Sequence, residues 1–241
     1  MAFLKPTPLA RATDAVEMID RPCSFDELAG TLRAITRLNR MFGGSRLTLR
    51  HVKSLLGALP AERPVTVLDV GTGAADIPVA LARWARRAGR RVRVFALDRD
   101  GPTLAYARGS AAAYPEIALI QGDALALPVR PASVDVVISA MTLHHLQADA
   151  AVRYLGELDA ASGTGWVVND LARGRAAHAL VWLSTRLFCR SAMARHDGPM
   201  SVLRSYTPPE VVALCEKAGL FDVAVLPYPT LLRLCAVRAK A

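Results

Sequence analysis

Cysteine is scarce. The 241 residues hold four, Cys23, Cys189, Cys215 and Cys235, with no CxxC pair and no histidines at ligand spacing. No disulfide framework and no metal site is indicated. Long apolar runs are missing as well: the longest candidate, 176–189, is interrupted by Ser184, Thr185 and Arg186, short of the roughly 20 apolar residues that cross a bilayer. The opening Met-Ala-Phe-Leu-Lys runs into Pro6, Pro8 and Asp14. It lacks the basic, apolar and small-residue succession of a secretory leader, so the expected location is cytoplasmic. Acid is the charge in short supply, 21 Asp+Glu against 30 Lys+Arg, for a formal net charge of +9. Hydrophobic residues are abundant, 52% of the chain, which excludes a disordered chain and provides for one globular domain with a sizeable core.

Residues 1–60 read as a helical preface. Ser24 with Glu27 three residues on is a capping box, and Leu28, Leu32, Ile35, Leu38 and Phe42 follow at helical spacing. Gly43-Gly44 stops that helix, and a second is predicted over about 46–59, ended by Pro60. From Pro64 short apolar runs (65–70, 92–97, 117–120, 134–139, 166–168) alternate with helical segments (77–88, 103–114, 148–161). Such alternation predicts parallel strands joined by crossover helices, an α/β protein with an open, doubly wound, Rossmann-like sheet. A helical insertion is predicted over about 175–195, closed by Arg195-His196-Asp197-Gly198, then a helix over 208–218 and apolar stretches at 221–226 and 231–237.

Ligands of doubly wound sheets bind beyond the carboxyl ends of the strands, so the strand tips carry the chemistry. The first strand runs into Asp69-Val70-Gly71-Thr72-Gly73-Ala74-Ala75-Asp76, and a Gly-x-Gly turn lets backbone approach a ligand with no Cβ in the way. The dinucleotide fingerprint asks for a third small residue where Asp76 stands. Asp69 and Asp76 would repel a diphosphate and suit a cation such as the ammonium of an amino acid moiety, which disfavours a nicotinamide-dependent dehydrogenase. Asp98 ends the second strand, where a carboxylate accepts from both hydroxyls of a ribose; its other reading is a helix N-cap, for which Asp100 is better placed. The third strand leads to Gln121-Gly122-Asp123-Ala124, where the acid either accepts from an adenine amino group or closes a plain turn.

This combination resembles the class I S-adenosylmethionine-dependent methyltransferases. The resemblance rests on 69–73, Asp98, Gly122-Asp123-Ala124, and Asp135-Val136-Val137-Ile138-Ser139 followed by Leu143-His144-His145-Leu146. The last run is similar to the small-molecule branch typified by the ubiquinone/menaquinone-biosynthesis methyltransferases. It covers roughly 64–170 and departs from the family at Ala75, where a third glycine is common. It implies a seven-stranded sheet in a domain of 61–241, with 1–60 and an insertion at about 171–207 as a lid. It implies S-adenosylmethionine as cofactor and S-adenosylhomocysteine as product. Gly71 and Gly73 would contact the methionine part, Asp69 its amino group, Asp98 the ribose, Asp123 the adenine amino group and the Ala124 N–H an adenine ring nitrogen. Ser139 would lie beside the methionine end through its carbonyl, and Thr72, Arg99 and Gly122 complete the cofactor-binding set.

Methyl transfer from a sulfonium is an in-line displacement, so the protein positions a nucleophile and excludes water. A phenol or carbon acid must also lose a proton, and His144 and His145 are candidate bases; the plainer alternative is that one caps a helix and the other packs. His196 and Asp170 are candidates for acid/base or positioning roles, while Asp197-Gly198 is equally a turn and Arg204 equally a surface ion pair. The insertion is strongly apolar (Leu180, Val181, Trp182, Leu183, Leu187, Phe188, Met193). Unless it simply covers the sheet, it favours O-methylation of a hydrophobic small molecule, phenolic, polyketide-like or isoprenoid. RNA or protein methylation and non-catalytic cofactor binding are the alternatives. Nucleic acid is not expected, because Ser139-Ala140-Met141-Thr142 is not the Asn/Asp-Pro-Pro-aromatic turn that holds a flipped base. Residues 61–170 carry 11 Lys+Arg and 12 Asp+Glu, 1–60 carry 9 and 5, and 171–241 carry 10 and 4. The excess positive charge thus belongs to the predicted lid, as a basic, apolar entrance for an anionic or phenolate-forming acceptor, or for a membrane surface that holds one.

Overall fold

The computed structural model describes residues 9–240; Met1–Pro8, which bear on the leader reading and open the predicted lid, lie outside the described residues. Ser24 starts α1 (Phe25–Met41) through the reciprocal box, its hydroxyl accepting from the Glu27 N–H and the Glu27 carboxylate accepting from the Ser24 N–H. Gly43, at φ +70°, turns the chain, and α2 (Gly44–Gly57) follows at once. Then come β1 (Val65–Val70), α3 (Asp76–Arg87), β2 (Val92–Asp98), α4 (Gly101–Ala111), β3 (Ile117–Gln121), β4 (Val134–Ala140), α5 (Ala148–Ala161) and β5 (Ser162–Leu171). The chain ends with α6 (Arg175–Phe188), α7 (Ala192–Arg204), α8 (Pro208–Lys217), β6 (Ala224–Tyr228) and β7 (Arg233–Ala239).

The seven strands form one sheet in the order β3-β2-β1-β4-β5-β7-β6. β1 to β5 are parallel, and β7 runs antiparallel to both β5 and β6. β1 and β4 are covered on both faces, which is why they read as continuous apolar runs. Leu68, Val70, Val137 and Trp166 enter a layer with α5 and α8, through Tyr154, Leu155, Leu158, Val211 and Leu214. Val65, Val67, Val136, Ile138 and Val167 enter the opposite layer with α2 and α3, through Val52, Leu55, Leu56, Ile77 and Leu81. Of the segment predicted as an N-terminal lid, α2 packs in the sheet's own layer, while α1 lines the cavity beyond the strand ends.

The insertion differs from its prediction. It is two helices, broken at Cys189-Arg190-Ser191, with the Ser191 hydroxyl capping α7 through the Ala194 N–H. Asp197-Gly198 is not a turn; α7 runs through it and through Pro199 to Arg204. Tertiary contacts override the breaker residues. The buried Asp197 carboxylate accepts from the Met18 and Ile19 N–H groups. A Cβ on Gly198 would stand 2.6 Å from Thr185 Cγ2, so glycine is what lets α6 and α7 approach. No helix among the described residues is long and apolar enough to cross a membrane.

Candidate active site

A cavity of about 920 Å³ opens beyond the carboxyl ends of β1 to β4, at the point where strand order reverses between β1 and β4. Its floor is the turn after β1. Gly71 and Gly73 take left-handed φ values of +73° and +55°. A Cβ on Gly71 would overlap the Thr142 hydroxyl, whereas one on Gly73 would meet nothing within 4 Å. The two glycines serve different ends, and an expected outcome separates them. Gly71→Ala lowers Tm by clash and strain of about 2 kcal/mol or more. Gly73→Ala costs only about 1–2 kcal/mol of backbone strain but places a methyl where the ligand approaches, so calorimetry with S-adenosylhomocysteine shows the larger loss. Ala75 adopts φ +57° with its side chain fully buried. Burial of that methyl, worth about 0.8 kcal/mol, offsets much of a left-handed cost of about 1 kcal/mol, and the turn keeps its shape without the third glycine.

The acids line one wall. Asp69 is buried and accepts from the Thr72 hydroxyl at 2.7 Å. Burial pushes its pKa up to about 7 against that hydrogen bond, and the charges of Asp76 and Asp98 add to the rise. Asp76 accepts from Asn39 and Ser45. Asp98 accepts from the Gly73 N–H at 2.9 Å and the Asp100 N–H at 3.1 Å, and burial raises its pKa. Asp100, as anticipated, is the cap of α4, accepting from the Thr103 N–H. Asp123 accepts from the Leu125 N–H, and Gly122, Asp123 and Ala124 all line the cavity. Arg99 lines it too, but its guanidinium extends toward Asp20 at 3.3 Å and is largely exposed.

Three carboxylates around a Cβ-free floor fit a cationic, hydroxyl-rich nucleoside. A consequence follows for pH. The Asp69 pKa is raised on folding, so the free chain loses stability from this group as pH climbs from about 4 toward 7. An ammonium ligand needs the ionised form, so S-adenosylhomocysteine affinity should rise with pH by up to about tenfold per unit and level off above about 7. Calorimetry across pH 5.5–8 checks this, and Asp69→Asn should flatten the profile.

A second group of residues is assembled from distant segments, and it meets the first where Asp20 lies between Arg99 and His145. Glu17 and Asp20, ahead of α1, meet His144 and His145, after β4, and Arg204, at the end of α7. His144 Nδ1 lies 2.7 Å from Asp170 Oδ1, and its backbone N–H donates to the same carboxylate. Its Nε2 lies 3.6 Å from Glu17 Oε1. Burial lowers the His144 pKa, but the Asp170 charge and hydrogen bond and then Glu17 outweigh it, and the net direction is up. His145 Nδ1 lies 3.0 Å from Asp20. The Arg204 guanidinium donates to the His144 and His145 carbonyls, which fixes the histidine turn, and lies 3.8 Å from Glu17 and 3.5 Å from Asp20.

Several residues singled out by the sequence stand elsewhere. Asp170 is buried behind His144 and does not line the cavity. Ser139 is fully buried, its hydroxyl bonded to that of Tyr154, and the lining begins one residue later with Ala140, the end of β4, followed by Met141 and Thr142 where the chain leaves the sheet. His196 is half exposed on Asp197, outside the lining. Arg204 is buried rather than a surface ion pair. Glu17, Asp20 and Arg233 were not legible. The first two precede any periodic pattern; Arg233 sits in β7, buried, donating to Asn39 Oδ1 and Met141 Sδ at the cavity margin.

The fold is shared with S-adenosylmethionine-dependent methyltransferases of known structure. Residues 67–160 match the family described as methyltransferase domain. The chain is 39% identical over 85 residues to malonyl-acyl-carrier-protein O-methyltransferase of Xylella fastidiosa, a match covering 35% of this chain and 27% of that protein. It is 41% identical over 85 residues to 2-phytyl-1,4-naphtoquinone methyltransferase of Thermosynechococcus vestitus, covering 34% and 36%. The match thus spans about a third of each curated relative's length. A SAM-dependent methyltransferase of Aquifex aeolicus superposes with a TM-score of 0.55 at 20% identity, covering 83% of this chain and 95% of that one. By matched domain and by fold the chain is similar to these methyltransferases.

Proposed function

We propose that the chain transfers a methyl group from S-adenosylmethionine to an oxygen of a hydrophobic small molecule of phenolic, polyketide-like or isoprenoid type. One observation carries this: a single cavity with carboxylates at the strand tips and, under an apolar cover, a histidine held by a carboxylate. The bound cofactor supplies an electrophilic methyl on a sulfonium. The Asp69 carboxylate holds the ammonium of its amino acid end, Asp98 the ribose hydroxyls, Asp123 the adenine amino group, and the Ala124 N–H a ring nitrogen. Leu28, Leu32, Ile35 and Leu38 of α1, with Leu171 and Val181, line the remaining wall and exclude water from the acceptor. His144 takes the acceptor proton on Nε2 while Asp170 holds Nδ1–H, which fixes the tautomer. A pKa raised above the ordinary histidine value makes it a stronger base for a weakly acidic phenol. Asp170 and Arg204 are positioning residues, and His196 has no part.

One relative's name carries a phytylated naphthoquinone, which supports a hydrophobic acceptor, and the other's an O-methyl transfer, there onto a malonyl-acyl-carrier protein. The test is incubation with radiolabelled S-adenosylmethionine and fractionated extract of the source organism. Label is expected in the organic-soluble small-molecule fraction. Label confined to RNA or protein would sink the assignment, as would calorimetry showing no S-adenosylhomocysteine binding.

A further inference from the structure

The lid helix α6 is inside out. Its inward stripe, Ala177, Val181 and Thr185, is small and packs toward α7 and the cavity. Its outward face carries the bulkier side chains: Leu180, Trp182, Leu183 and Leu187 are 44% to 65% exposed. A helix on a water-facing surface turns its large apolar residues inward, and a contiguous exposed set such as this marks a contact surface.

Charge identifies what it contacts. Between Leu171 and Thr207 the only acid is Asp197, and it is buried. Arg175, Arg186 and Arg190 are exposed on or beside α6, as is Arg37 of α1, which donates to the Phe188 carbonyl. None of these four takes part in an ion pair among the described residues. The Arg186 guanidinium stacks 3.8 Å from the centroid of the Trp182 ring. Trp and Arg combine an apolar body with a polar end, which suits a headgroup layer. A second copy of the same face would oppose arginine to arginine and leave them unneutralised.

We propose that the outer face of α6, with Leu180, Trp182, Leu183 and Leu187 flanked by Arg175, Arg186 and Arg190, docks this chain onto an anionic lipid bilayer. The helix inserts in the interfacial plane, apolar side chains into the acyl boundary and guanidinium groups on phosphate. Val181 on its other side lines the cavity, so the acceptor site then lies about one helix diameter, ~10 Å, from lipid. An acceptor dissolved in the membrane would reach it without crossing bulk water. That last consequence rests on the proposed acceptor class; docking does not, since it needs neither acceptor nor turnover.

The test is sedimentation of the full chain with vesicles of phosphatidylcholine alone or with about a third phosphatidylglycerol. Partitioning should be at least tenfold greater onto the anionic vesicles and should fall steeply with added salt. It should also be accompanied by a blue shift in fluorescence that Trp182→Phe abolishes. Leu183→Glu with Leu187→Glu, both outside the cavity lining, should remove vesicle binding while S-adenosylhomocysteine affinity and the circular dichroism spectrum stay those of the parent. Equal or no partitioning onto the two vesicle types would overturn the proposal. So would a dimer in analytical ultracentrifugation that the same double substitution dissociates.

Discussion

His144→Gln is expected to lower kcat by about 10²- to 10⁴-fold while leaving S-adenosylhomocysteine affinity unchanged. Glutamine is the informative replacement. Its amide N–H can still donate to Asp170, so the buried carboxylate keeps a partner, whereas alanine would strand that charge at a cost of about 3–5 kcal/mol. What glutamine cannot do is take a proton. The pH dependence supplies a second reading. Because the His144 pKa is raised on folding, its contribution to stability is present below the ordinary value of 6.5 and is lost as pH rises through the raised value. The neutral form is the base, so kcat climbs over that same interval. Wild-type activity should therefore rise with an inflection above 6.5 while thermal stability falls, and Asp170→Asn should move the inflection down. A flat kcat–pH profile in the parent, or full activity in His144→Gln, would remove His144 from the chemistry.

Asp98→Ala is expected to weaken S-adenosylhomocysteine binding by about 10²-fold or more, since hydrogen bonds to a charged group contribute about 1.5–3 kcal/mol each and a ribose offers two. The same carboxylate holds the Gly73 and Asp100 N–H groups, so removing it also loosens the glycine turn. Asp98→Asn retains one acceptor oxygen and should recover part of the affinity, whereas His145→Ala, which is not one of the strand-tip acids, should leave it unaltered. Isothermal titration of the three variants decides it; parent-like affinity in Asp98→Ala would show that this strand tip does not hold the ribose.

The two walls differ in how far they could be foreseen. The cofactor wall was legible because Asp69, Asp98 and Asp123 each stand within two residues of the carboxyl end of a strand. A strand tip is a local feature, readable from an apolar run ended by Gly or Asp, and the doubly wound topology brings all such tips to one edge. Ser139 shows the limit of that logic. It lies one residue short of the end of β4, fully buried with its hydroxyl on Tyr154, and the lining begins at Ala140. The histidine wall was half legible. His144 and His145 were visible, yet which was buried, and which acid held each, depended on Asp170 in the next strand and on Glu17 and Asp20, more than 100 residues back along the chain. Glu17 and Asp20 carry no periodicity, and Asp170 looked like a candidate for contact when it stands one layer back. Asp197-Gly198 read as the close of the insertion or as a turn, since propensity is local, but α6 packing on Gly198 and the two N–H groups held by Asp197 keep α7 intact.

Sequence by itself determined the α/β order, the parallel core and the acid at each strand tip, because periodicity and turn chemistry act over neighbouring residues. Tertiary structure alone decided that α2 joins the sheet while α1 lines the cavity, that Arg204 clamps the histidine turn from within, and that α6 shows its apolar side to the outside. Those outcomes depend on which faces meet after the chain has folded back on itself, and amphipathic spacing names a face without saying what will lie against it.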